Sequence, residues 1–297
     1  MKRYFLCPTV KLLKQKCSIQ MASCQKFSST TIDEEEAVKF KRFSNYWWDL
    51  NGELKPLHSM NRLRVPFIRN GLCPPSTVES TTESIHLPLM GKKILDVGCG
   101  GGILTEALSI LGAQVLGIDQ VEESINAANE HVEATSHRWI THPSLHKPVY
   151  RLTSLQTIAE ESPNHFDAVV ASEVLEHVTD WEGMVKCIAN CLKLDGMMFI
   201  TTINHTTASL LLGIVVAEYI AGLVPRGTHE WNKFIEPSRL QYACIKYGLQ
   251  PRQVAGMLYN PLTCRWSWTS NLSVNYALSA MKVENYTKND HEIKQST

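Results

Sequence analysis

From residue 93 onward, short apolar runs alternate with stretches whose apolar residues recur every three or four positions. Runs at 93–98, 113–119, 166–172 and 197–203 are too short for helices and rich in branched side chains, so they read as buried strands. Between them, 102–111, 122–132 and the stretch from 173 to about 192 carry helical spacing. Strand and helix in alternation imply a mostly parallel sheet covered on both faces, a doubly wound α/β domain. Two later runs, 253–257 and 274–281, read as terminal strands joined by a turn-rich connection.

Ahead of the alternation, Thr31 and Glu34 form a capping box that opens an acidic helix, with Val38, Phe43 and Trp47 along one side. Residues 47–61 (WWDLNGELKPLHSMN) read as an ordered, aromatic loop. Residues 208–224 (ASLLLGIVVAEYIAGLV) are apolar except for Glu218. They fall short of the roughly 20 residues that span a bilayer, so they read as a buried helix or one that lies on a membrane surface. Residues 283–297 form a polar tail.

Composition changes this picture at one end. The 297 residues carry no net formal charge and are 44% hydrophobic, enough for a sizeable core. Residues 1–32, however, hold Lys2, Arg3, Lys11, Lys14, Lys16 and Lys26 and no acidic residue. A basic, hydroxyl-rich, acid-free leader reads as a mitochondrial transit peptide; a disordered basic tail is the alternative. Without it, 23 basic residues face 29 acidic ones, a net charge of −6. Such a body has no bulk attraction for phosphate backbones, so no nucleic acid is expected as a partner. The nine cysteines include no CxxC pair, which argues against a disulfide framework or zinc knuckle.

The chemistry concentrates in two motifs. LDVGCGGG (95–102) stands where a buried strand meets a helix, and its glycines let the backbone turn closely against a ligand. A GxGxxG dinucleotide pattern would need glycine at 103, where this chain has Ile103. Asp119 closes the next strand, where a carboxylate can accept both ribose hydroxyls of an adenosyl cofactor. The second motif is ASEVLEHV (171–178). On a helix Glu173, Glu176 and His177 would share one face and could hold a divalent cation. Carboxylates are also favoured at a helix N-terminus for purely structural reasons. The three histidines of 137–146 read as part of a polar loop.

Four stretches together resemble the ubiquinone biosynthesis O-methyltransferase family: RFSNYWWDLNGELKPLHSMNRLR (42–64), LDVGCGGGILTEAL (95–108), SEVLEHV (172–178) and AEYIAGLVPRGTHEWNKFIEPSRL (217–240). LYNPLT (258–263) and VNYA (274–277) extend the similarity, which covers residues 34–282. His205 and Leu258 depart from residues common in that family.

The resemblance implies a class I methyltransferase sheet of seven strands with an N-terminal helical extension at about 33–70 and an apolar insert at about 206–235. It implies S-adenosyl-L-methionine as cofactor, with contacts at Arg64, Gly98, Asp119 and Ser172, and a divalent metal, magnesium, on Glu173, Glu176 and His177. The implied substrates are polyprenylated catechol-like intermediates methylated on a ring hydroxyl, beside the matrix face of the mitochondrial inner membrane. Peripheral membrane contact and a biosynthetic complex are the implied partners. His58 and His229 are candidate proton acceptors; no catalytic base is assigned.

Overall fold

The computed structural model describes residues 46–74, 87–206 and 234–284. The leader, the capping box at Thr31 and Glu34, the apolar stretch 208–224, His229 and most of the polar tail lie outside the described residues.

Among the described residues eight strands form one sheet, β1 (Lys93–Val97), β2 (Gln114–Asp119), β3 (Val149–Leu152), β4 (Phe166–Ser172), β5 (Leu192–Ile203), β6 (Leu249–Asn260), β7 (Arg265–Thr269) and β8 (Asn275–Lys282), in the order β3-β2-β1-β4-β5-β8-β6-β7. The first five pair in parallel; β8 inserts antiparallel between β5 and β6. The expected doubly wound α/β sheet is present, with one strand more than the seven expected. The addition is β7, which forms a hairpin with β6 inside the stretch read as a turn-rich connection.

Side chains alternate across the sheet with a period of two. Leu95, Val97, Val169 and Ala171 face one apolar cluster, shared with α5 (Leu155–Glu161), α6 (Trp181–Cys191) and α7 (Pro237–Lys246). Ile94, Val115, Ala168, Val170 and Phe199 face the other, shared with α1 (Lys55–Leu72) and α2 (Ile103–Ile110). Burial on both faces explains why β1 and β4 read as continuous apolar runs rather than alternating ones. Two further helices, α3 (Glu122–Ala134) and α4 (Ser136–Thr141), connect β2 to β3.

Three expectations are corrected. Helix α1 begins at Lys55 inside the stretch read as a loop, because Pro56 falls in the first turn, where its missing N–H costs nothing. Met60, Arg64, Phe67 and Ile68 then bury one face of it. After β4 there is no continuous helix. A short 3-10 turn, Leu175–His177, is followed by a break, and α6 starts afresh where Asp180 Oδ1 accepts the Gly183 N–H at 2.8 Å. Residues 136–141, read as loop, form α4. The six described cysteines are all free thiols, and among the described residues no helix is long and apolar enough to cross a membrane.

Candidate active site

The carboxyl ends of β1, β2 and β4 meet along one edge of the sheet, where open α/β sheets place their ligands. The chain leaves β1 through Gly98 (φ 65°), Gly100 (φ 53°) and Gly102 (φ 85°), all left-handed. A Cβ on Gly98 would lie 2.6 Å from Val174, and one on Gly102 2.3 Å from the Tyr150 hydroxyl. Glycine is required there on both counts, conformation and space.

Asp119 anchors this loop from the next strand. Its Oδ2 accepts the Gly100 N–H at 2.9 Å, and its Oδ1 accepts the Val121 N–H at 2.9 Å. The Gln120 N–H is a further backbone donor, and the carboxylate's remaining lone-pair directions are left to ligand hydroxyls. Burial pushes the Asp119 carboxyl above its usual range, while the backbone donors pull it back.

Arg64 arrives from α1. It is only 5% exposed, and its three nitrogens are all engaged: Nε donates to Asn61 Oδ1 at 2.6 Å, one Nη to Ser172 Oγ at 2.9 Å and the other to the Leu57 carbonyl at 3.3 Å. Ser172 Oγ is in turn 2.7 Å from Thr201 Oγ1. Burial lowers the Arg64 guanidinium to about 10, so it stays charged at neutral pH, with Asp96 and Glu173 supporting the charge. All four expected cofactor residues are therefore gathered at one sheet edge, two of them in direct hydrogen bond.

Asp96, buried under the loop, accepts the Thr105 hydroxyl at 2.6 Å. Burial raises it to about 6, against the pull of that bond and of Arg64. Because the folded state holds this proton more tightly than the unfolded chain, the group's contribution to stability falls as pH rises from about 4 to about 6. Asp119 acts with the same sign. Thermal melts at pH 5 and pH 7.5 should lose less between those values in Asp96→Asn than in the wild type. Equal losses would remove Asp96 as a source of the slope.

The helical geometry expected for the three metal ligands is not observed. Glu173 leaves the strand in a left-handed conformation (φ 57°), and the segment after it is a 3-10 turn rather than the helical face on which three ligands would converge. Glu176 Oε2 accepts the Thr202 hydroxyl at 2.7 Å. Glu173 Oε1 is buried without a hydrogen-bond partner. Burial and the neighbouring Glu176 raise Glu173 to about 7. Among the described residues no group of three His, Cys, Asp or Glu side chains is placed to hold a metal ion. As arranged, Glu173, Glu176 and His177 do not form a coordination set.

The site also contains residues that the motif reading missed. The Trp47 side chain lies against the glycine loop: a Cβ on Gly100 would come within 2.4 Å of it, and one on Gly101 within 2.3 Å. Its Nε1 is buried without a partner. Trp48 Nε1 donates to the Gly101 carbonyl at 2.9 Å, and its ring stacks on His131 with centroids 3.4 Å apart. His131 Nδ1 is 2.6 Å from Glu106 Oε1. The candidate base His58 holds this strap instead: its Nε2 is 2.7 Å from the Trp47 carbonyl, and burial lowers its basicity. The paired tryptophans were the available signal.

A family model described as a methyltransferase domain matches residues 81–254. A ubiquinone biosynthesis O-methyltransferase, mitochondrial, from Bos taurus is 50% identical over 256 residues, covering 86% of this chain and 66% of the relative's length. The ubiquinone biosynthesis O-methyltransferase of Paracidovorax citrulli is 41% identical, covering 86% of this chain and 98% of its own length. Among solved structures, magnesium protoporphyrin IX methyltransferase from Synechocystis PCC 6803 with bound SAH aligns at a TM-score of 0.55 and 17% identity. That alignment covers 83% of this chain and 99% of the other and is a likeness of fold.

Proposed function

Because this chain belongs to the ubiquinone biosynthesis O-methyltransferase family, we propose that it moves a methyl group from S-adenosylmethionine to a ring hydroxyl of a polyprenylated catechol-like intermediate. The observation that carries this reading is the Arg64–Ser172 hydrogen bond at 2.9 Å. It fixes α1 against the carboxyl end of β4, beside Gly98 and Asp119.

When bound, the cofactor supplies an electrophilic methyl on a sulfonium sulfur. The chain's own residues then have three tasks. Asp119 accepts the ribose hydroxyls while its other lone pairs hold the loop in shape. Arg64, already oriented by Asn61 and Leu57, offers its charge to the methionyl carboxylate. Trp47 and Trp48 cover the glycine loop and keep water from it. The buried carboxylates Asp96 and Asp119 set a negative field that suits a cationic cofactor. Transfer forms a carbon–oxygen bond as the carbon–sulfur bond breaks. The phenol's proton passes to solvent, since the candidate acceptor His58 is engaged with the Trp47 carbonyl. Alignment of the three reacting atoms can remove about 7–11 kcal/mol of the barrier.

The relatives from Bos taurus and Homo sapiens are named mitochondrial, which supports a mitochondrial location. We place the chain on the matrix side of the inner membrane because the proposed substrate lives in the bilayer, and expect it to work beside other enzymes of the same biosynthesis.

The test is turnover of a short-tailed, demethylated quinol with S-adenosylmethionine, read by mass spectrometry. A product heavier by one methylene is expected. Cofactor binding without product would make the chain a silent cofactor-binding subunit instead. The same assay in chelator reads whether a divalent cation takes part.

A further inference from the structure

The aromatic strap and the glycine loop are joined by a closed circuit of contacts. Trp48 Nε1 donates to the Gly101 carbonyl at 2.9 Å. The Trp48 ring lies parallel to the His131 imidazole, 4° apart, with centroids at 3.4 Å. His131 Nδ1 is 2.6 Å from Glu106 Oε1. The Glu106 N–H then donates to the Gly102 carbonyl at 3.0 Å. The circuit leaves the loop at Gly101 and returns to it one residue later.

Each link in it is constrained. Glu106 is 2% exposed, its Oε2 has no hydrogen-bond partner, and Arg138 of α4 stands 3.8 Å from that oxygen. A carboxylate buried in this way needs a donor, and His131 is the one bonded to it. A carboxylate only accepts, so Nδ1 carries the hydrogen and the plane of the imidazole is fixed. Trp48 is met at its edge by His58, with centroids 5.6 Å apart.

The helix that carries His131 reaches the glycine loop at both of its ends. Helix α3 begins just after Asp119, whose Oδ2 accepts the Gly100 N–H and whose Oδ1 accepts the Val121 N–H. His131 stands in its last turn, on the order of 13 Å further along at 1.5 Å per residue. The first end therefore fixes the Gly100 N–H, and the last end, through Trp48, the Gly101 carbonyl. Gly98 is exposed, whereas Gly100, Gly101 and Gly102 are buried. The contacts grip the covered part of the loop and leave Gly98 open to a ligand.

We propose that His131 is a positioning residue for the cofactor: paired with Glu106 and stacked on Trp48, it clamps the Gly101 peptide and so sets the shape of the glycine loop before S-adenosylmethionine arrives. It acts through Trp48 and does not itself touch the cofactor. A loop held in its bound shape spares the ligand the cost of ordering it, so the clamp acts on affinity rather than on methyl transfer. The inference rests on the cofactor half of the proposed function and not on the identity of the methyl acceptor.

Full-length variants are compared by calorimetry with S-adenosylhomocysteine, at a temperature where melts show each to be folded. His131→Ala should weaken binding about tenfold, the effect of losing one hydrogen bond. Trp48→Phe keeps an aromatic face for His131 and loses only the bond to Gly101; it should weaken binding by a similar factor. Because both act on one carbonyl, the double variant should bind little worse than either single variant. Unchanged affinity in either folded single variant, or losses that multiply in the double, overturns the proposal. Should His131→Ala not fold, Trp48→Phe decides alone, and unchanged affinity there overturns it. In turnover of the short-tailed quinol, His131→Ala should raise KM for S-adenosylmethionine about tenfold, with kcat at saturating cofactor near that of the wild type. A fall in kcat with unchanged KM overturns the positioning role. A wild type that binds S-adenosylhomocysteine but methylates no quinol would sink the proposed function and leave the clamp to the calorimetry.

Discussion

Gly100→Ala is expected to cripple both folding stability and cofactor binding, although it adds one methyl group. The new Cβ would stand 2.4 Å from the Trp47 ring, closer than carbon atoms approach. The ring cannot retreat easily, because Trp47 is 5% exposed and its carbonyl is held by His58. Overpacking of this kind costs about 1–3 kcal/mol, and a non-glycine residue at φ 53° adds about 1–2 kcal/mol. For a domain of this size the sum lowers the melting temperature by on the order of 10 °C. The Gly100 N–H would also drift from Asp119, so affinity for S-adenosylhomocysteine should fall with it. Trp47→Ala in the same chain should return the steric part and not the conformational part, a non-additive pair in a double-mutant cycle. An unchanged melt for Gly100→Ala would show that Trp47 does not lie on the loop.

Asp119→Ala should weaken cofactor binding by about 10²- to 10⁴-fold. Two ribose hydroxyls lose a charged acceptor, each bond being worth about 1.5–3 kcal/mol. The variant also frees the Gly100 and Val121 N–H groups, so the loop loses its template before the ligand arrives. Calorimetry with S-adenosylhomocysteine measures the sum, and an analogue without the 2′-hydroxyl isolates the direct contact. That analogue should bind wild type poorly and suffer less further loss in the variant. If the analogue and the parent lose equal affinity on substitution, Asp119 serves the loop and not the ribose.

These two residues also mark how far the sequence was legible. Strands β1, β2 and β4 could be read because burial on both faces writes itself as an unbroken apolar run. The glycine loop and Asp119 could be read because a tight turn followed by a carboxylate leaves few other physical uses. Strand β3 escaped notice because Val149, Arg151 and Leu152 are exposed at the sheet margin and carry no periodic signal. Strand β7 escaped because five residues, RWSWT, sit between turn-forming neighbours. The start of helix α1 was hidden by Pro56, which signals a turn unless its place in the first helical turn is known, although the resemblance implied a helical extension over about 33–70. The convergence of Glu173, Glu176 and His177 was inferred from α-helical spacing, and the backbone there does not follow that spacing. The Trp47–Gly100 contact is a tertiary fact between residues 53 apart; no local pattern encodes it.

The position of β8 has a consequence for the order in which the protein can be made. This strand comes last among the described strands but lies between β5 and β6 in the sheet. While synthesis proceeds, β5 presents an open edge bearing Met198, Phe199 and Ile200, all of which are buried in the finished fold. The β6–β7 hairpin cannot cover that edge, because its place in the sheet is defined only through β8. An unpaired apolar edge is a template for association with other chains. Between emergence of β5 and arrival of Asn275–Lys282 the nascent chain therefore carries an edge open to association. That interval ends when β8 docks and Lys282 Nζ takes the Ala189 and Leu192 carbonyls, at 2.7 and 2.8 Å.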